Sequence, residues 1–138
     1  PGTGDVQLTL LQKMPLNAAI VVTTPQSVSI SDTRKGIEMI KKLDVPILGL
    51  IENMSFFQPD SSNKKYFIFG KEGGKRLAKE YNLDLFSQIP LSEKKENSFL
   101  YSNTSYKLIF DDLAEKVIKK IKSLSKIMNQ TIPQKTEK

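Results

Sequence analysis

The sequence predicts an α/β fold built on a mostly parallel sheet. Three observations carry that expectation. Apolar runs rich in β-branched residues alternate with segments whose apolar residues repeat at helical spacing, an order that needs crossover connections and hence parallel strands. The runs at 17–23 and 45–52 are continuous rather than alternating, the pattern of strands buried on both faces. With two full strands and a short third, the sheet is smaller than a typical doubly wound one, so the strand at 17–23 is expected to lack a neighbour and to present an apolar edge.

Taken in order, Asp5 to Met14 reads as a helix, capped by Gly4 or Asp5 and stopped by Pro15. Asn17 to Thr23 is the first strand, broken by Thr24-Pro25-Gln26. A helix from Val28 to Leu43 follows, with Ile37, Ile40 and Leu43 on its apolar face and Arg34, Lys35, Lys41 and Lys42 outside. Val45 to Glu52 is the second strand, with Pro46 near its start, where a missing donor is tolerated. Phe56 to Lys65 holds the turn formers Pro59, Asp60, Ser61, Ser62 and Asn63 and reads as a loop, and Tyr66 to Phe69 as a short strand. Gly73-Gly74 lies inside or at the start of a helix running to Tyr81, permitting close helix packing or a tight helix start. Leu85 to Ile89 is a third strand, ended by Pro90. After a polar loop to Thr104, a last helix spans Ser105 to Lys126, with Tyr106, Ile109, Leu113, Val117, Ile121 and Leu124 on one stripe. Residues 1–126 are thus expected to form one unit, and 127–138 a polar, disordered tail.

Composition narrows the chemistry. The chain has 138 residues and a net charge of +6, with neither Cys nor His. That excludes disulfides, thiolate nucleophiles, Cys/His zinc sites, iron–sulfur ligation by the chain's own thiols and a Ser-His-Asp triad. Most of the positive charge lies in the last 34 residues, where eight Lys face four acidic residues. No aromatic interleaves the lysines and no nucleic-acid reading motif is present, so a solvated helix face is expected rather than a nucleic acid or membrane partner. No apolar run reaches the roughly 18 residues of a membrane helix, and no secretory leader is expected, so the cytoplasm is the expected location.

In open α/β sheets ligands bind beyond the carboxyl ends of the strands. Those ends are Thr23–Gln26, Glu52–Ser55 and Ile89–Leu91, joined by the opening turn Pro1-Gly2-Thr3-Gly4-Asp5. Asn53 can donate to and accept from the edge of a base, and Pro90 and Leu91 can form an apolar wall for a ring. Gly2, Thr3, Gly4 and Asp5 can meet phosphate oxygens, water or hydrated Mg²⁺. The turn looks like the middle of an enzyme, so the chain is expected to be the C-terminal portion of a longer polypeptide. Lys75, Arg76 and Lys79 follow Gly73-Gly74, yet no Gly-x₄-Gly-Lys-Ser/Thr order exists to make a phosphate loop.

The ordered segments 1–10 (Pro-Gly-Thr-Gly-Asp-Val-Gln-Leu-Thr-Leu), 21–26 (Val-Val-Thr-Thr-Pro-Gln), 45–55 (Val-Pro-Ile-Leu-Gly-Leu-Ile-Glu-Asn-Met-Ser), 68–74 (Ile-Phe-Gly-Lys-Glu-Gly-Gly) and 88–91 (Gln-Ile-Pro-Leu) resemble the Mrp-type iron–sulfur cluster carrier ATPases over residues 1 to about 115. These are P-loop proteins with a deviant Walker A motif, related to MinD and ParA. The resemblance implies the C-terminal part of a P-loop NTPase three-layer sandwich, whose N-terminal strands and P-loop lie in a missing N-terminal half. It places Gly2, Thr3, Gly4 and Asp5 in the switch segment on the γ-phosphate side, Asn53 on the adenine, and Pro90 with Leu91 in the loop flanking the base. It implies ATP and Mg²⁺ as cofactors, a homodimer, and apo iron–sulfur proteins as clients. No catalytic set is complete and no metal ligand is assigned, so the chain alone is expected to be inactive. A [4Fe–4S] cluster is implied by family only. Where many members carry Cys-x-x-Cys, residues 57–66 carry none, and a plain hairpin connection is expected there. The alternative is a MinD/ParA-like positioning ATPase acting on a membrane or DNA surface.

Overall fold

The structure, a computed structural model, describes residues 4, 9, 13–14, 16–59, 62–91 and 104–131, with side chains of the last segment described for 106–126. Among the described residues, six named elements follow in order: β1 (Ala19–Thr23), α1 (Ser27–Lys42), β2 (Ile47–Glu52), α2 (Gly73–Glu80), β3 (Leu85–Gln88) and α3 (Thr104–Thr131). The strands form one parallel sheet in the order β1-β2-β3, with Thr23 opposite Glu52 and Glu52 opposite Gln88. The fold is therefore α/β with a parallel sheet.

Two apolar clusters sandwich β2. Val21, Ile37, Leu50 and Leu77 join the sheet to α1 and α2, while Leu48, Ile51, Phe86 and Leu113 join it to α3. This is why β2 is apolar without alternation: helices cover both of its faces. The same expectation for β1 is corrected. Val21 and Thr23 are buried under α1, but Ile20 and Val22 point to the other face and are 37% and 57% exposed. α3 covers β2 and β3 and leaves that side of β1 bare among the described residues.

Both α1 and α2 end on a left-handed residue, Asp44 (φ 55°) and Asn82 (φ 53°). In each case the following N–H turns back onto the last helical turn, Val45 N to Ile40 O (3.3 Å) and Leu83 N to Ala78 O (2.8 Å). Asp and Asn tolerate this conformation better than other non-Gly residues, so the chain reverses into the next strand without glycine.

Tyr66 to Phe69 is not a strand. Tyr66 exchanges two backbone hydrogen bonds with Phe57 (2.8 and 2.7 Å) in an isolated antiparallel bridge, and the chain then turns through Gly70. The 57–66 segment thus closes as a hairpin-like connection. Phe56 and Phe67 meet edge to face at 6.3 Å, with Phe67 37% exposed.

The last helix continues to Thr131, past the expected end at Lys126. Its stripe is also shifted. Tyr106 and Leu113 are buried and Val117 and Leu124 pack on the second cluster, but Ile121 is 46% exposed. Ile121 lies about 60° round the helix from Tyr106, on the flank away from the sheet. Lys120 lies on the opposite flank, where its ammonium pairs with Asp84. One turn earlier Lys116 donates to Phe86 O (2.9 Å), so lysine stems close the seam between α3 and β3. Of the helix expected at 5–14, Thr9 and Lys13 are helical and the rest up to Lys13 lies outside the described residues.

Candidate functional site

The carboxyl ends of all three strands lie at one end of the sheet and are joined past the strands themselves. Asn53 N donates to Thr23 O (2.7 Å), Ile89 N to Glu52 O (2.8 Å), Ser55 N to Ile89 O (2.9 Å) and Leu91 N to Phe56 O (2.7 Å). Asn53, Pro90 and Leu91 are therefore brought together on adjacent strand ends, each half-buried. The Asn53 Oδ1 accepts from Met54 N (2.9 Å), which leaves the amide NH₂ free of a partner among the described residues. Pro90 is tied down from behind: the Tyr106 hydroxyl donates to Pro90 O at 2.6 Å, so α3 reaches the rim of the sheet. Of the opening turn, Gly4 is described and half-buried, while Gly2, Thr3 and Asp5 lie outside the described residues.

Beneath Asn53 lies a feature that the motifs in the sequence did not single out. Glu52 is fully buried, yet no cation among the described residues meets it. One carboxylate oxygen accepts from the Ser55 hydroxyl and from Gln88 Nε2 (2.8 Å), the other from Gly74 N at the start of α2. Neutral donors and the positive end of a helix thus take the place of a counter-ion. The signal was visible in the sequence: a Glu that closes an otherwise apolar strand must find donors, and Ser55 sits three residues on.

The glycines of the 70–74 segment belong to the same arrangement. A Cβ on Gly73 would lie 2.6 Å from Pro25 O, and one on Gly74 would lie 2.9 Å from both the Cβ and Oε2 of Glu52. Gly70, at φ 106°, packs beside Pro25 O. The pair Gly73-Gly74 accordingly allows close packing and presses the start of α2 against the ends of β1 and β2.

The family profile of the NUBPL iron-transfer P-loop NTPases (ParA) matches residues 1–130. The chain belongs to this family. It is 36% identical over 135 residues to the iron–sulfur cluster carrier protein of Aquifex aeolicus, covering 98% of this chain and 36% of that protein. The carrier protein of Pyrococcus horikoshii is 40% identical over 131 residues, 90% of this chain and 44% of the relative. The mouse iron–sulfur cluster transfer protein NUBPL is 46% identical over 91 residues, 66% of this chain and 28% of the relative. The chain thus spans well under half the length of the curated relatives it matches. Among solved structures, a nucleotide-binding protein of Archaeoglobus fulgidus in complex with ADP superposes with a TM-score of 0.60 at 32% identity, over 67% of this chain and 38% of that one.

Among the described residues, no three or more His, Cys, Asp and Glu side chains converge as a metal site, and no helix is long and apolar enough to cross a membrane.

Proposed function

We propose that this chain supplies the base-side wall of the nucleotide site of an iron–sulfur cluster carrier ATPase. The reading is carried by one observation: Asn53, whose amide NH₂ is free among the described residues, stands at the end of β2, and the residues that follow it, Ser55 and Phe56, are hydrogen-bonded to the Ile89–Leu91 strand end. It is supported by family membership and by the ADP in the related Archaeoglobus structure. In this reading the amide donates to a ring nitrogen of adenine and accepts from its exocyclic amine, while Pro90 and Leu91 pack on the ring. Gly2, Thr3, Gly4 and Asp5 face the γ-phosphate.

The 138 residues hold no Gly-x₄-Gly-Lys-Ser/Thr order. The triphosphate is therefore neutralised by backbone N–H groups, lysine and Mg²⁺ held by another stretch of polypeptide, and the chain alone does not hydrolyse ATP. The cluster is cargo for apo iron–sulfur clients, and its thiolate ligands come from outside this chain, which has no cysteine. Turnover belongs to the complete protein, acting as a homodimer. Joining the chain to the phosphate-loop segment of a relative tests this. ATP hydrolysis is expected, with Asn53→Ala lowering kcat/KM by roughly ten-fold or more through lost base contacts. A joined protein that folds but neither binds nor hydrolyses ATP defeats the reading.

A positioning ATPase that acts on an anionic surface is the second reading. It is favoured by the outer face of α3, where exposed Ile118 and Ile121 neighbour Lys119, Lys122 and Lys126. Salt-sensitive retention on anionic vesicles or DNA supports it, and no retention at low salt removes it.

A further inference from the structure

Glu52 and Ser55 bracket the two residues that carry the candidate base contact. Between them Met54 adopts φ 53°, a left-handed conformation that a long side chain disfavours, and Asn53 is oriented by accepting from the N–H of that same Met54. What holds the turn is visible. The Glu52 side chain reaches over it to the Ser55 hydroxyl, while the backbone of Ser55 is fixed to Ile89 O. The same carboxylate accepts from Gln88 Nε2, two residues before Pro90, and from Gly74 N. Every group aimed at it donates in this arrangement, so an amide in its place keeps the Gly74 bond only if the Ser55 hydroxyl and the Gln88 amide turn round to accept.

We propose that Glu52 is a positioning residue that sets base selectivity: its carboxylate holds Met54 left-handed through Ser55 and fixes the Gln88 strand end, so that the Asn53 amide and the Pro90–Leu91 wall meet one base edge in a set orientation. This rests on the base-side reading of Asn53. Glu52 itself is fully buried and acts through these partners.

The test compares AMP and GMP binding to the 138-residue chain at millimolar concentrations, read by the nuclear magnetic resonance shifts of the Asn53 side-chain amide. Wild type is expected to prefer AMP by about ten-fold, the scale of a two-point base contact. Ser55→Ala, a small truncation that keeps the Gly74 and Gln88 donors, and Glu52→Gln are each expected to bring that preference to about two-fold or less. Adding Met54→Gly to Ser55→Ala is expected to restore most of it, because glycine adopts positive φ without help. A role in stability alone would not show this rescue.

If wild type prefers AMP and both variants keep that preference while folded, the inference about Glu52 is overturned and the base-side reading survives. The inference is equally overturned if the preference is lost and Met54→Gly does not restore it. If Glu52→Gln does not fold, Ser55→Ala and its double variant decide alone. If neither nucleotide moves the Asn53 resonance in wild type, the base-side reading falls and the role of Glu52 falls with it.

Discussion

At Gly74 a methyl group has nowhere to go. Its position is already occupied by the Cβ and carboxylate of Glu52, which is buried and cannot swing away. Gly74→Ala is expected to destabilise the fold by about 1–3 kcal/mol, measured by denaturant unfolding, because relief requires either α2 or the Glu52 network to shift. Titration offers a second check. The Arg34 guanidinium bonds both oxygens of Glu80 (2.8 and 2.9 Å), joining α1 to α2 and holding the Glu80 carboxyl below its ordinary value of 4.5. At acidic pH the unfolded chain then binds a proton at Glu80 that the folded one refuses. The contribution is present above pH 4.5 and is lost as the pH falls through the lower folded value. Glu80→Gln should therefore lower Tm slightly above pH 4.5, by little because both side chains are well solvated, and converge with wild type at the acid end, so that its acid limb is flatter. A wild-type and variant pair with parallel acid limbs contradicts the assignment.

The elements differ in how far the sequence revealed them. β2 and α1 were legible because one physical cause dominates each: a strand between two helical layers is apolar throughout, and a surface helix repeats every three to four residues. The strand expected at Tyr66 failed because aromatic residues there serve a bridge and a ring contact rather than a ladder. The stripe of α3 failed at Ile121 because lysine stems do part of the covering, which a tally of apolar residues does not register. That difference is measurable. Leu113→Ala, inside the second cluster, is expected to cost about 2–4 kcal/mol. Ile121→Ala, half in solvent, is expected to stay within about 0.5 kcal/mol. Equal losses in thermal or urea unfolding would mean that the helix packs on its other flank.

Over the whole molecule, the described residues make a sheet of three parallel strands with β1 at one edge and part of its face uncovered. Exposed Val22 on an edge strand invites self-association, so Val22→Lys is expected to reduce concentration-dependent aggregation in light scattering while leaving Tm nearly unchanged. An unaltered aggregation onset would place the sticky surface elsewhere. The gathering of the strand ends was legible, since parallel topology alone brings them to one end of the sheet, and Asn53, Pro90 and Leu91 lie on adjacent ends there. The support beneath them was not, because a buried carboxylate fed by a hydroxyl, an amide and a helix start depends on contacts 3, 36 and 22 residues apart.

The proposed function requires those strand ends to form the wall that receives an adenine. Its most direct measurement is a map of backbone amide shifts in the 138-residue chain as AMP is added. Shifts concentrated on Asn53, Met54, Ser55 and Leu91, and suppressed by Asn53→Ala, are the predicted result. Shifts confined to the lysine-bearing face of α3, or unchanged by Asn53→Ala, would contradict it.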